Sequence, residues 1–312
     1  MIADRSFKYV FGPVPSRRLG RSLGVDLTPF KTCTLDCVYC QLGVTTNKTL
    51  ERREFVPMKK VLDEIQRKLA AGAAVDYVTM SGSGEPTLYS RLGELIDAIK
   101  SSTHIPVAVI TNGTLLWQPE VRADLCNADV VVPSLDAGDA ALFQRVNRPH
   151  PHLDIDVVIE GLVVFRDEFP NQLWLEILLL DGTTRADIAR IAAHIPRIRP
   201  DRIHLNTVAR PPAEAAAHPL SSAKLAEFAQ LLGDKTEIVA EFAAADVQPA
   251  GPASPQDILD MVKRHPCSIE DIAKGLAIHR AEAVKHVEHL LKEGKIGPER
   301  RGKTEYYVAT TN

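Results

Sequence analysis

No run of about eighteen consecutive apolar residues occurs in this 312-residue chain, and Met1 to Tyr9 lacks the apolar core of a signal peptide. Both absences predict a cytoplasmic protein that makes no membrane contact. Charge of one sign is also missing. Lysine and arginine number 37 against 40 aspartates and glutamates, a net charge of −3, which excludes a uniformly basic coat for nucleic acid and leaves only local patches. Cysteine is scarce, with five in all and three of them between positions 33 and 40. That usage does not suit a disulfide framework and does suit a reducing compartment. No internal repeat or low-complexity run is evident. What remains, 45% hydrophobic and 25% charged, suits one large globular domain and one small one.

Apolar strands alternating with amphipathic helices run through most of the chain. Strands are expected over Ser22–Phe30, Val75–Met80, Pro106–Thr111, Asp129–Pro133, Gln172–Leu180 and Arg202–Val208, with a short strand-like piece at Glu237–Phe242. Helices are expected over Met58–Ala71, Arg91–Lys100, Pro119–Cys126, Asp156–Phe169, Arg185–Ile195 and Ser222–Leu232. Six strand-then-helix units in series predict an α/β fold with a parallel sheet buried on both faces, two units short of a closed eight-fold barrel. Ligands in such folds sit at the C-terminal ends of the strands.

Asp246–Pro255 carries three prolines and a glycine and is expected to be a linker. Beyond it Ser268 is placed to cap a helix carrying Ile269, Ile272, Ala273 and Leu276, and Ala283, Val284, Val287, Leu290 and Leu291 mark another. Two short strands around Arg300-Arg301-Gly302-Lys303 complete a pattern that looks like a winged helix-turn-helix. The expected division is 1–248 for the core and 249–312 for the linker and winged-helix domain.

The stretch Lys31-Thr32-Cys33-Thr34-Leu35-Asp36-Cys37-Val38-Tyr39-Cys40 leaves the first expected strand. Three thiolates spaced by three and then two residues can converge on one centre, and no fourth cysteine accompanies them. A closed structural zinc site wants four ligands, so a cubane 4Fe-4S cluster with one open iron suits the loop better. Cys126 and Cys267 stand apart as packing residues.

Cys33-x3-Cys37-x2-Cys40, with aromatic Tyr39 before the last cysteine, resembles the cluster loop of the radical S-adenosylmethionine (SAM) superfamily. That resemblance implies a partial (β/α)6 barrel and a cluster on Cys33, Cys37 and Cys40. SAM would chelate the open iron and be split to a 5′-deoxyadenosyl radical, with an electron from a donor such as flavodoxin or ferredoxin. It also implies SAM contacts near Tyr39. The turn Gly82, Ser83, Gly84, Glu85 stands where the family holds the SAM amino group, with Ser83 replacing the usual first glycine; Pro86 makes a plain tight turn the alternative. Thr111, Asn112, Ser134, Asp136 and Glu176 fall where the family binds ribose and carboxylate, and Asn206 where it touches adenine. Asn112 and Asp136 otherwise cap helices or turns.

Arg17, Arg18, Arg21, Arg148, His150, His152 and Arg210 crowd the same end or its approaches, and suit an anionic substrate group or plain solvated loops. The opening Gly12-Pro13-Val14-Pro15-Ser16-Arg17-Arg18 and Arg210-Pro211-Pro212 resemble a branch related to tRNA wyosine-base synthases. No cysteine precedes Cys33, so that branch's second cluster has no upstream ligands here. Lys295, Arg300, Arg301 and Lys303 on the wing, with His279, Arg280, Lys285 and His286 on the helix before it, suit RNA, DNA or a peptide; Glu282, Glu288 and Glu299 dilute the charge. Hydrogen abstraction from RNA or a peptide is therefore the expected activity. The competing function is an iron-sulfur redox or iron sensor that binds DNA through the winged helix.

Overall fold

The computed structural model describes residues 7–16, 18–239, 254–264, 266–276, 278–301 and 304–310. Expectations on Arg17, on the stretch ahead of Ser254 with its 248/249 boundary, on residues 240–242, on Gly302 and Lys303, and on the Arg301 side chain lie outside the described residues.

β1 (Val10–Ser16) and β2 (Gly20–Val25) pair antiparallel, with a register slip between Phe11 and Val14. The expected first strand begins two residues earlier than Ser22 and ends at Val25, because Asp26 turns its carboxylate to another loop and Pro29 brings no ladder donor. β1 itself was not expected: Gly12 and Pro13 disfavour a strand by composition, yet an outer strand tolerates them. The following loop holds a small parallel pair, β3 (Thr32–Cys33) with β4 (Asn47–Lys48), and leads to α1 (Met58–Ala70).

β5 (Tyr77–Met80), α2 (Leu92–Ser102), β6 (Val107–Thr111), α3 (Pro119–Leu125) and β7 (Val130–Pro133) follow. Next come α4 (Ala140–Val146), α5 (Ile155–Glu168), β8 (Gln172–Leu179), α6 (Arg185–Ile198), β9 (Arg202–Thr207), α7 (Ser222–Leu232) and β10 (Thr236–Ile238). The sheet order is β1-β2-β5-β6-β7-β8-β9-β10, and every pairing after β1–β2 is parallel. Helix α4 was not anticipated; its seven residues show too short a period, and Asp139 starts it by accepting from the Leu142 N–H at 2.8 Å.

Strand alternation sorts the side chains. Val107, Val109, Val131, Leu173, Leu175, Ile177, Ile203 and Leu205 belong to the large core shared with the helices. Their alternates Ala108, Val130, Val132 and Trp174 form a small apolar cluster with Leu19 on the opposite face. Above that cluster the same face turns polar, with Glu176, His204 and Asn206.

The outer strand is tied down by one carboxylate. Buried Glu64 on α1 accepts from the backbone N–H groups of Lys8, Tyr9 and Val10 at 3.1, 2.8 and 3.1 Å. Donors that would otherwise invite a foreign strand are thereby satisfied.

The C-terminal residues form α8 (Pro255–Val262), α9 (Ile269–Gly275), α10 (Arg280–Lys292) and a hairpin of β11 (Ile296–Arg301) with β12 (Thr304–Ala309). Ser254 and Ser268 each start a helix through a reciprocal capping box with Asp257 and Asp271. These elements bury a core of their own around Ile258, Val262, Cys267, Ile272, Val287 and Tyr307. Helices α8 and α9 lie on β1, covering the sheet's outer strand.

Candidate active site

The cysteine loop is clamped at both ends by backbone. On one side the Lys31 N–H donates to Ser83 O at 2.7 Å and the Glu85 N–H to Thr32 O at 3.1 Å. Lys31 takes a left-handed φ of 57° to make this turn. Gly84 is required there, since a Cβ would stand 1.9 Å from Thr32 O. On the other side the loop rests on the segment after α4: Asp36 N–H meets Asn147 O at 3.0 Å, Val38 N–H meets Val146 O at 3.0 Å, and His150 N–H meets Thr34 O at 2.9 Å.

Cys33, Cys37 and Cys40 are half-buried free thiols, and each sulfur has a nitrogen donor. Lys31 Nζ lies 3.1 Å from Cys40 Sγ, Asn112 Nδ2 3.4 Å from Cys33 Sγ and Asn147 Nδ2 3.5 Å from Cys37 Sγ. Burial, reinforced by Glu85, pushes the Cys33 thiol up to about 12; burial with Asp136 pushes the Cys37 thiol up as well. Left alone these groups stay protonated, and metal binding would expel their protons. Among the described residues no three His, Cys, Asp or Glu side chains gather around a single ion position. A cubane binds each thiolate at a different iron, and N–H groups aimed at the sulfurs suit its negative charge. The residues present therefore fit a 4Fe-4S cluster.

Tyr39 reaches across to Asp136, donating its hydroxyl to Oδ2, which also accepts from Asn147 Nδ2 at 2.8 Å. Oδ1 accepts from the Leu178 N–H at 2.8 Å. Burial raises Asp136 to about 6 despite these donors. Asn147 Oδ1 is buried and has no hydrogen-bond partner among the described residues. It is an acceptor held beside the thiols, as a ligand's N–H or O–H would require. Asn147, Asp136, Ser134, Asn112 and Thr114 together line a small cavity.

The remaining candidate residues divide into three groups. Glu85 is buried and fully engaged: Oε1 accepts from Thr87 N–H, the Thr87 hydroxyl and the Thr111 hydroxyl, and Oε2 from the Asn112 N–H at 2.8 Å. It supports Thr111 and Asn112 from beneath. Gly82 has φ 136°, and Ser83 turns its side chain away to Asp26. Ser134 bridges in parallel to Glu176, whose carboxylate pairs with Arg18 and accepts from Asn206 Nδ2 at 3.1 Å. His204 lies next to this group, edge-on to Trp174, and burial lowers it to about 4. Cys126 is half-buried, and Cys267 is wholly buried in the C-terminal core.

Asn147, Lys31 and Asp26 were not singled out from the sequence. Asn147 follows a short helix in no recognisable motif, and its only local mark is a polar residue at the helix end. Of the cations expected to meet either an anionic substrate group or plain solvent, Arg148 pairs with Glu214 at 2.8 Å and Arg210 donates to Gln41 at 3.0 Å.

A family model for the radical SAM superfamily matches residues 27–195, which carry the cysteine loop and the strand ends just described, and the chain belongs to that superfamily. It is a radical SAM enzyme, with a 4Fe-4S cluster and SAM as its cofactors. Its relatives place it with the UPF0026 proteins: one from Methanocaldococcus jannaschii is 34% identical over 295 residues, 92% of this chain and 91% of that one. A Brachyspira hyodysenteriae protein named GTPase Obg is 34% identical over 297 residues, 94% of this chain but only 44% of that protein. The chain thus spans less than half of that relative. Among solved structures, Streptococcus suis SuiB bound to S-adenosylmethionine superposes with a TM-score of 0.51 and 18% identity, over 70% of this chain and 50% of that one. The likeness is one of fold, a mostly parallel α/β sheet like radical SAM partial barrels. No helix among the described residues is long and apolar enough to cross a membrane.

Proposed function

We propose that this enzyme cleaves SAM reductively and uses the product to abstract hydrogen from a macromolecular substrate. A reduced 4Fe-4S cluster bound at the cysteine loop would supply the electron that splits the SAM sulfonium to a 5′-deoxyadenosyl radical. Cys33, Cys37 and Cys40 would hold three of the irons. The observation that carries this reading is their placement: three thiols from one loop, each met by a nitrogen donor, at the C-terminal end of a parallel sheet.

The chain's own part is orientation and screening rather than acid-base chemistry. Lys31, Asn112 and Asn147 offset the negative charge at the sulfurs. The turn Gly82 to Glu85 would receive the SAM amino group through backbone carbonyls, with Thr111 and Asn112 beside it. Ser134, Asp136 and Asn147 offer acceptors for the ribose hydroxyls, and Glu176 and Asn206 stand further along for the rest of the nucleoside.

The order α8, α9, α10, β11, β12 supports a winged helix over 249–312, attached to a 1–248 core. Arg280 pairs with Glu270 at 2.9 Å and Lys295 with Glu293 at 2.9 Å, while His286 stands 3.7 Å from Glu282. Those pairs take up part of the charge that would meet phosphates, which favours a peptide partner over RNA or DNA. A ferredoxin or flavodoxin remains the expected class of electron donor.

Anaerobic reconstitution followed by dithionite and SAM tests the reaction. Wild type should yield 5′-deoxyadenosine, and Cys37→Ala should lose both the brown cluster absorbance and the product. A fully reconstituted wild type that leaves SAM intact would overturn the proposal.

A further inference from the structure

The turn after α8 presses Arg264 against the main sheet. Its guanidinium carbon stands 4.0 Å from the centroid of the Phe11 ring, and Nη1 donates to Asp260 O at 2.7 Å. Nε is buried and has no hydrogen-bond partner among the described residues. The Phe11 ring in turn lies on bare backbone at Gly24, where a Cβ would come within 2.1 Å of it. A guanidinium, an aromatic ring and a glycine are thus stacked across β1 and β2.

Asp26 lies two residues past Gly24 and so on the same side of the chain, its carboxylate largely removed from water, and the guanidinium stacked over Gly24 favours its charge from beyond ion-pair distance. Oδ1 of Asp26 accepts from the Ser83 N–H at 3.0 Å, and Oδ2 accepts from the Ser83 hydroxyl. Gly82 comes so near that a Cβ would lie 2.6 Å from the Asp26 carboxyl carbon. The turn Ser81 to Pro86 is therefore bound to Asp26 at its back and, through Ser83 O, to the cysteine loop at Lys31.

A buried carboxylate without a countercharge takes a proton or draws in water, and either change weakens its grip on two donors. We propose that Arg264, contributed by the C-terminal helices, is a positioning residue for SAM: by countering the Asp26 charge it holds Ser83 and its turn in the shape that receives the SAM amino group. This rests on the assignment of that turn to SAM made above. The C-terminal helices are then part of the cofactor site, and whatever they bind is coupled to it through one side chain.

The test compares Arg264→Met, Arg264→Lys and Asp26→Asn in the full-length chain. Anaerobic calorimetry gives the SAM Kd of reconstituted protein, and hydrogen exchange at residues 81–86 is followed in cluster-free protein. Arg264→Met should raise the Kd about tenfold, as expected for loss of one coupled contact, and speed exchange in the turn while iron content stays at the wild-type level. Arg264→Lys should restore most of both, because it keeps the charge. Should Arg264→Met not fold, Asp26→Asn alone should reproduce the weaker Kd and faster exchange. Wild-type Kd and exchange in Arg264→Met, or in Asp26→Asn, would overturn the inference. A reconstituted wild type with no SAM affinity would instead sink the SAM assignment, while the exchange comparison would still decide whether Arg264 holds the turn.

Discussion

Replacing Gly84 with alanine probes the contact on which the site is assembled. An added Cβ would meet Thr32 O at 1.9 Å and Thr28 Oγ1 at 2.6 Å, where real Cβ atoms do not come within 3.0 Å. Backbone is the nearer obstacle, so the turn and the start of the cysteine loop must part by about 1 Å. That movement breaks the Glu85 N–H to Thr32 O bond at 3.1 Å and strains the Lys31 N–H to Ser83 O bond at 2.7 Å. Overpacking costs about 1–3 kcal/mol and each lost bond about 1 kcal/mol, giving a loss of about 3–4 kcal/mol. At roughly 2–4 °C per kcal/mol the melting midpoint of cluster-free protein should fall by about 10 °C. Scanning calorimetry on wild type and Gly84→Ala measures the midpoint, and iron analysis after reconstitution should show a reduced load. Gly297→Ala serves as control, since its Cβ would meet only Thr310 Cγ2 at 3.8 Å. A Gly84→Ala protein melting with wild type and carrying full iron would refute the claim that this turn braces the loop.

Other perturbations have equally definite outcomes. Asn147→Leu removes an N–H from Cys37 Sγ and from Asp136, and should lower the cluster's midpoint potential by an amount on the order of tens of millivolts in a redox titration. The pH dependence of stability carries two opposed contributions. His204 sits at about 4 when folded against 6.5 unfolded, so the unfolded chain binds the extra proton and stability falls as pH drops through that window, by about 2 kcal/mol at pH 5. Asp136 sits at about 6 against 3.8, so there the folded chain holds the extra proton and stability falls as pH rises from about 4 to 6. In urea titrations His204→Gln should therefore show stability declining with rising pH across that range, and Asp136→Asn the reverse; matching slopes in the two variants would contradict both assignments. Glu64→Gln turns an amide toward three backbone donors and should cost about 2 kcal/mol, with faster hydrogen exchange at residues 8–10.

Elements spaced by a clear apolar period were legible in the sequence. The strands from Tyr77–Met80 to Arg202–Thr207 and the helices between them announce themselves because each buries one regular face. The β1–β2 hairpin was hidden because Gly12 and Pro13 argue against a strand until an outer position is known. At the site, motif position foretold neighbourhood and not orientation. Ser83 and Glu85 lie in the foreseen turn, yet Ser83 bends back to Asp26, and Glu85 is consumed by Thr87, Thr111 and Asn112. No local pattern carries such information, because each partner comes from another strand end.

The short cysteine loop is fastened to the rest of the site through one turn. Thr32, Asp26 and Asn112 belong to three separate segments, and all three are fastened to the single turn 83–85, directly or through Glu85. Loosening any one of them leaves a buried polar group without its partner, which costs more than the bond itself contributes. The turn therefore moves as a unit with the cysteine loop or not at all. Single substitutions at Asp26, Ser83 or Glu85 should accordingly be non-additive when combined: Asp26→Asn with Ser83→Ala should destabilise little more than the worse of the two alone, as measured by urea unfolding. Fully additive losses would mean that Ser83 and Asp26 act independently, and that the turn is held by its backbone contacts alone.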